Sequence, residues 1–381
     1  HGVGPFNPMQ MNSPRSLAID QRPDGTKHLW AVEGSQRIRR IVVWNLAADS
    51  PTLVHDFVGN TGYMGHGGTI SDDIPTLGMY NGVIYEIDYE NYDYRPVEVI
   101  GTPEAEGKAQ VFSPIPGPAF TNGYHFISDV SGEPREYYIV RNGGGFGPAT
   151  NVIWMRDGQP QGDGAWRCVA AIGPAHGYRP PEGFPRPERG ENFIMWNDLN
   201  DDGYQSPDEI QFITPPTRRF MHNAMWGYRC YDDLVWYHSG YAVHPVRFTE
   251  RGAPVYTPDS FEKLPGDLGE RAAIEEGMQL FKTKFGYVAH ERNRTLGRDP
   301  HNTVHGMFEL VGYDNEGRRR WTYPAYWHSV HGAMTAPQAL PGVIMGMLKF
   351  TGIIDLDDQH SLIGVRGNTG QDFLIRDDGM Y

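Results

Sequence analysis

The sequence predicts an all-β protein, read as a β-propeller of seven four-stranded blades, and three observations carry that reading. Short runs rich in β-branched and aromatic residues recur along all 381 residues. Asn-Gly, Asp-Gly and Pro-Asp-Gly punctuate them, and these sequences supply the positive φ angles of tight hairpin turns. Helix signals are nearly absent, whereas a parallel α/β architecture needs a helix between most strands.

Taken in order, strands are expected over 16–20, 29–32 and 38–44, the first two parted by Pro23-Asp24-Gly25. Asn81-Gly82 precedes a strand over 83–88, and Asn122-Gly123 precedes one over 124–127. Strands over 137–140 and 152–155 follow, the latter closed by Asp157-Gly158. Further strands are expected over 234–237, 307–313, 343–347, 362–365 and 373–375. One helix is expected around 267–280, weakened by Gly277. Antiparallel grouping gives units beginning near residues 12, 75, 117, 190, 222, 278 and 331. A spacing of about 50 residues suits a four-stranded blade with generous loops. The units share no crisp consensus, and a large β-sandwich is the competing fold. No linker divides the chain, so 1–381 is read as one domain.

Composition agrees with this class. Gly 47 and Pro 30 supply turns, while a 12 % aromatic fraction supplies core volume that a disordered chain lacks. A net charge of −14 argues against nucleic acid as a partner, because neutralising phosphates needs a basic face. The dense basic run Arg318-Arg319-Arg320 suits an exposed strand end. No apolar stretch approaches the roughly 18–20 residues that span a bilayer. The chain starts at His1 without a charged-then-apolar leader, which reads as an exported protein after signal removal or as a trimmed domain. Cys168 and Cys230 allow one disulfide but give neither a disulfide framework nor a zinc site.

The sharpest motif runs from Asp198 to Glu209. Asp198, Asn200, Asp202 and Ser206 put oxygens at loop positions 1, 3, 5 and 9, Gly203 stands at 6 and Glu209 at 12. That is the spacing of an EF-hand calcium loop, with Tyr204 giving its backbone carbonyl and Glu209 both carboxylate oxygens. An acidic surface loop of accidental spacing is the bland alternative, and six positions matching together weigh against it. A strand signal before the loop and Pro207 at its exit point to a rigid staple rather than a sensor that opens a groove.

Signals for catalysis are weaker. His222, Arg229, Tyr231, His238, Tyr241 and His244 form a polar-aromatic group of the kind a β-eliminating polysaccharide lyase needs, with Arg neutralising a carboxylate and His or Tyr moving protons. A chain with 21 Tyr and 15 His shows such groups by chance. His328 and His331, with His301 and His305 upstream, are better read as histidines hydrogen-bonded in loops than as a metal site. Asp72-Asp73 after the run Gly65-His66-Gly67-Gly68 has the look of a binding loop, but the run lacks the Lys-Ser/Thr of a phosphate loop. Asn142-Gly143-Gly144-Gly145-Phe146-Gly147 lacks the strand-to-helix context of a dinucleotide site. No Gly-x-Ser-x-Gly elbow exists.

The segment Gly312-Tyr313-Asp314-Asn315-Glu316-Gly317-Arg318-Arg319-Arg320-Trp321 places an Asp-x-x-Gly turn before a returning strand with Trp. In this it resembles quinoprotein-like blades, as do 27–32 and 41–45. With 57–71, 198–209, 327–332 and 366–378, the chain resembles secreted propeller proteins of the planctomycete type, which combine quinoprotein-like or NHL-like blades with an embedded calcium loop. It is similar in particular to the haem-free propeller subunit of periplasmic redox complexes such as hydrazine synthase. The resemblance implies a propeller fold, calcium as the bound metal, and a periplasmic or extracellular location. Two functions are then expected: a calcium-stabilised, non-catalytic platform for other protein subunits, or a secreted carbohydrate-active enzyme, a lyase on acidic polysaccharide. A quinone-dependent dehydrogenase trails both, since blade resemblance alone makes no cofactor site.

Overall fold

The computed structural model describes residues 14–34, 39–46, 50–58, 69–80, 82–102, 105–112, 123–142, 150–175, 178, 180–217, 220, 230–238, 240–272, 279–293, 307–325, 347–367 and 372–380. These residues form six antiparallel sheets and a two-stranded ribbon, each built from strands close together in sequence. The first sheet holds β1 (Pro14–Gln21), β2 (Lys27–Gly34), β3 (Arg39–Asn45) and β4 (Thr52–Val58). The second holds β5 (Thr69–Ile70), β6 (Leu77–Tyr80), β7 (Val83–Asp88) and β8 (Asp93–Val99). Six strands make the third: β9 (Tyr124–Ser128), β10 (Arg135–Asn142), β11 (Thr150–Arg156), β12 (Trp166–Pro174), β13 (Phe193–Asn197) and β14 (Ile210–Ile213).

The fourth sheet pairs β15 (Trp236–His238) with β16 (Tyr241–Val243). The ribbon of β17 (Arg247–Phe248) and β18 (Pro254–Val255) follows, and β19 (Phe261–Lys263) returns to β16. The fifth holds β20 (Gln279–Lys282), β21 (Gly286–Asn293), β22 (Met307–Asp314) and β23 (Arg319–Ala325). The sixth holds β24 (Met347–Asp355), β25 (Ser361–Gly367) and β26 (Asp372–Arg376). The all-β expectation therefore holds, with several sheets in succession rather than two facing ones.

Two expectations need correction. The unit expected near residue 190 starts no new sheet, because β13 pairs with β12 and extends the third sheet to six strands. The helix is shorter than expected: α1 spans Gly266–Ala272, and 279–282 is the strand β20. Strand periodicity explains the second case. Leu280 and Phe281 enter different cores on opposite faces of their sheet, as adjacent strand residues do.

Burial on both faces marks the third sheet. Along β11, Ile153 and Met155 join one core and Val152 and Trp154 the other. All seven residues of β11 and all nine of β12 are buried. Antiparallel strands with one wet face alternate in burial, so these unbroken buried runs fit a sheet packed on both sides. Cys168 belongs to one of these cores and Cys230 to the other, and both are free thiols.

Successive sheets are latched by side chains. Tyr92 of the second sheet meets Trp30 edge-on at 4.9 Å and lies under the Arg22 guanidinium of the first. Ser71 and Asp73 tie the second sheet to the third. Ser71 Oγ accepts the N–H groups of Asp73 and Ile74, so its own proton goes to Nδ1 of buried His125 at 2.8 Å. That leaves the His125 Nε2 proton for Glu136 Oε1, also at 2.8 Å. Asn197 exchanges two hydrogen bonds with the Tyr256 backbone, joining third to fourth. Tyr231 Oη accepts the Lys282 N–H and joins fourth to fifth. Trp321 Nε1 donates to the Asp377 carbonyl at 2.8 Å, joining fifth to sixth.

Candidate functional site

The loop 198–209 connects β13 and β14, which pair directly, so a short hairpin presents all its oxygens. Asp198 is fully buried and accepts the N–H of Asp202 on Oδ1 at 2.9 Å and that of Gly203 on Oδ2 at 3.0 Å. Asn200 Oδ1 also accepts from Asp202, and Asp202 Oδ1 accepts from Tyr204. Gly203 has φ +79°, and a Cβ there would press on the Arg167 side chain at 3.2 Å. Only glycine meets both demands. Glu209 closes the loop from the far end. Its Oε1 takes the N–H groups of Leu199 and Asn200, and its Oε2 takes the Ser206 hydroxyl at 2.6 Å.

Burial pushes the Asp198 carboxyl up to about 6, and Glu209 adds repulsion, while the Gly203 N–H and Arg167 work the other way. Arg167 Nη1 lies 2.7 Å from Asp198 Oδ2, and Lys108 Nζ lies 2.6 Å from Asp202 Oδ2. The donors are oxygens throughout, in the order a hard divalent cation takes them, so their chemistry fits calcium. In this geometry Arg167 and Lys108 meet two of the three carboxylates.

Among the described residues, the group of three His, Cys, Asp or Glu ligand atoms lying within 4.8 Å of one another is His360, Asp377 and Asp378. The carboxylates of Asp198, Asp202 and Glu209 stand farther apart than that. His360 Nδ1 is 3.0 Å from Asp377 Oδ1. Asp377 Oδ2 accepts the Ser361 and Phe285 N–H groups, and Asp378 pairs with Arg376. Sequence reasoning missed this group because strands β25 and β26 separate the histidine from the two aspartates. The Asp-Asp-Gly turn at 377–379 was the one local signal.

The described members of the polar-aromatic group do not gather at one place. His222 and Arg229 lie outside the described residues, as do His301, His305, His328, His331 and 65–68. Tyr231 packs edge-on against Tyr237 at 5.4 Å. His238 and Tyr241 instead stand 5.1 and 5.8 Å from the Phe220 ring. Tyr237 and His238 are neighbours on one strand and point to opposite faces, so they divide the group between two sides of β15. His244 uses its backbone N–H to bind the Ser260 carbonyl.

Asp72-Asp73 does face a cavity, of about 990 Å³. Segments 69–73, 231–233, 282–284 and 352–355 form its wall together with Tyr124 and Phe126, so five of the six sheets or the turns beside them reach it. Five aspartates stand against two lysines among the wall residues. Ile354 and Leu374 of the sixth sheet supply an apolar side. Apart from the two-residue signal at 72–73, nothing in the sequence marked this cavity, because its parts are separated by whole sheets. No known family model matches this chain, and no curated protein matches it either.

Proposed function

We propose that the chain is an exported β-propeller, stapled by calcium at Asp198, Asn200, Asp202, Tyr204, Ser206 and Glu209, that serves as a non-catalytic docking platform for other protein subunits. The propeller arrangement is supported by the succession of sheets, each latched to the next, and by the convergence of several of them on one cavity. What carries the platform reading is apolar exposure on edge strands. Leu17 and Ile19 on β1 are each 65 % exposed, and Val99 on β8 is 72 % exposed. An open strand edge with bare aliphatic side chains is a surface that a partner covers or that aggregates.

The lyase alternative fits less well. Its candidates among the described residues divide between two faces of β15, and the cavity wall is acidic where a polyanionic sugar would need cations. The reading is tested by native mass spectrometry of the protein from its own source. A stoichiometric complex, lost in a Leu17→Lys/Ile19→Lys/Val99→Lys variant that melts like the parent, is the expected result. A lone 42.9 kDa chain would overturn it.

A further inference from the structure

The junction of the second and third sheets carries an activity that docking leaves aside. Docking is the non-catalytic role of strand edges, whereas these residues face the interior, and the inference does not rest on the platform reading. We infer that Ser71, His125 and Glu136 form a nucleophile, a base and its orienting carboxylate, and that Ser71 attacks small esters with an aliphatic acyl group in the cavity. Such a relay is recognised by its hydrogen bonds, since it recurs on unrelated folds in different chain orders. Ser71 Oγ gives its proton to His125 Nδ1 at 2.8 Å, and His125 Nε2 gives its own to Glu136 Oε1 at 2.8 Å. Both distances are within reach of proton transfer.

The sheet register sets the two buried members side by side. Glu136 on β10 pairs with Ile127 on β9, and His125 lies two residues from Ile127, so both side chains share one face. The His125 ring stands edge-on to Trp166 at 6.3 Å, which fixes its plane. Arg156 and the Gln161 N–H hold Glu136 Oε2, leaving Oε1 to the imidazole. A carboxylate kept ionised in this way stabilises an imidazolium beside it.

Position distinguishes this relay from a purely internal latch. Ser71 stands in the wall of the 990 Å³ cavity, a volume in the range of small-molecule sites, while His125 is fully buried and Glu136 nearly so. Its turn is anchored on the third sheet: the Asp72 N–H donates to the His125 carbonyl, and Asp73 Oδ2 accepts the Ile127 N–H at 2.6 Å. Ile70, Ile354 and Leu374 are exposed aliphatic residues of the same wall and suit an aliphatic acyl chain.

In the step this geometry allows, Ser71 Oγ adds to the ester carbonyl carbon and its proton passes to His125 Nδ1. Oγ must free a lone pair for the attack. Of the two amides it accepts, the Asp73 N–H at 3.3 Å is held more weakly than the Ile74 N–H at 2.9 Å. Once released, the Asp73 N–H is a backbone donor for the carbonyl oxygen as it turns negative. The departing alcohol takes the proton from His125 and leaves an acyl group on Ser71. Water then gives a proton to the same Nδ1, adds to the acyl carbon and releases the carboxylic acid, and the proton returns to Oγ.

Labelling of the full chain with a fluorophosphonate, followed by peptide mass spectrometry, tests this. A single adduct at Ser71 is expected on the folded protein, and none when it is first unfolded in guanidinium. p-Nitrophenyl butyrate should give a burst of about one nitrophenolate per chain. Ser71→Ala should lower its turnover about a hundredfold or more. That variant also loses a turn contact, so Ser71→Cys is the second one: when folded, it should react with iodoacetamide at position 71 while Cys168 and Cys230 stay unlabelled. The adduct is mapped on the parent protein and stands even if both variants misfold. Absence of a Ser71 adduct on the folded parent, or ester turnover unchanged in a folded Ser71→Ala variant, overturns the inference whatever the docking experiment shows.

Discussion

Arg156 bridges two sheets: its Nε donates to Glu136 of the third sheet at 2.7 Å, and its Nη1 donates to Glu98 of the second at 2.9 Å. The same guanidinium caps the Gly162 and Gly164 carbonyls and lies 4.7 Å from the Trp166 ring centroid. Glu136 in turn accepts from His125, from Arg156 and from the Gln161 N–H. Burial alone would raise this carboxyl, but those hydrogen bonds outweigh it and hold the group at about 2.

A pH dependence follows from that shift. The Glu136 carboxyl has a folded value near 2 against an ordinary 4.5, so the stability it contributes is present above pH 4.5 and is lost as pH falls toward 2. The shift corresponds to about 3 kcal/mol. Glu136→Gln should therefore destabilise the protein at pH 7 by about 3–5 kcal/mol, since it leaves a buried guanidinium partly unpaired. Denaturant melts of the two proteins should converge between pH 4.5 and pH 2. Parallel curves over that range would show that Glu136 is not ionised in the fold.

Chelation tests the loop. If Asp198, Asp202 and Glu209 share calcium, EGTA should lower the melting temperature by a few degrees, and added calcium should restore it by mass action. Asp198→Asn should abolish the response to calcium. A melting curve indifferent to both reagents, with no calcium by elemental analysis, would leave Arg167 and Lys108 as the loop's cations.

The latch between the fifth and sixth sheets is a small target. Gly379 has φ +93°, and a Cβ placed on it would lie 2.8 Å from the Trp321 ring. Gly379→Ala should cost about 1–3 kcal/mol through strain and displacement of the indole. Trp321→Ala should cost about 3 kcal/mol, losing both the packing and the bond to the Asp377 carbonyl. Once the indole is gone, the added cost of Gly379→Ala should fall, because the ring it strikes is absent. A double-mutant cycle reads that coupling, and strict additivity would deny the contact.

Thiol labelling checks the two cores. Cys168 and Cys230 are buried in separate clusters, and burial raises the Cys168 thiol well above its ordinary value. Neither should react with iodoacetamide in the native protein, and both should react in guanidinium without prior reduction. Failure of either to react after unfolding would reveal a disulfide that this packing forbids.

Local chemistry made much of this fold legible. Turn glycines and β-branched runs marked strands such as β7, whose bounds match the expected 83–88. The hairpin loop at 198–209 stood out because its candidate oxygen donors all lie within twelve residues. What stayed hidden was set by distance in sequence. The pairing of β13 with β12 depends on how Phe193 and Met195 share a core with residues of β10 and β11, and no turn signal reports that. The cavity wall is assembled from segments up to 305 residues apart, from Thr69 to Leu374, so no spacing rule could find it. The far end of the helix expected around 267–280 is a strand instead, because Leu280 and Phe281 pack into two different cores, which no local signal reports.

Each sheet draws its strands from one continuous stretch of chain, and each latch joins a sheet to the next one along. Among the described residues these sheets and latches can therefore form before the far end exists, and only the cavity wall waits for the sixth sheet. A stretch emerging first from the ribosome can zip its hairpins and offer its edge residues before the following stretch exists. Folding should advance from one end as an ordered series of short, local closures, with Ser71 ready to receive His125 as soon as β9 appears.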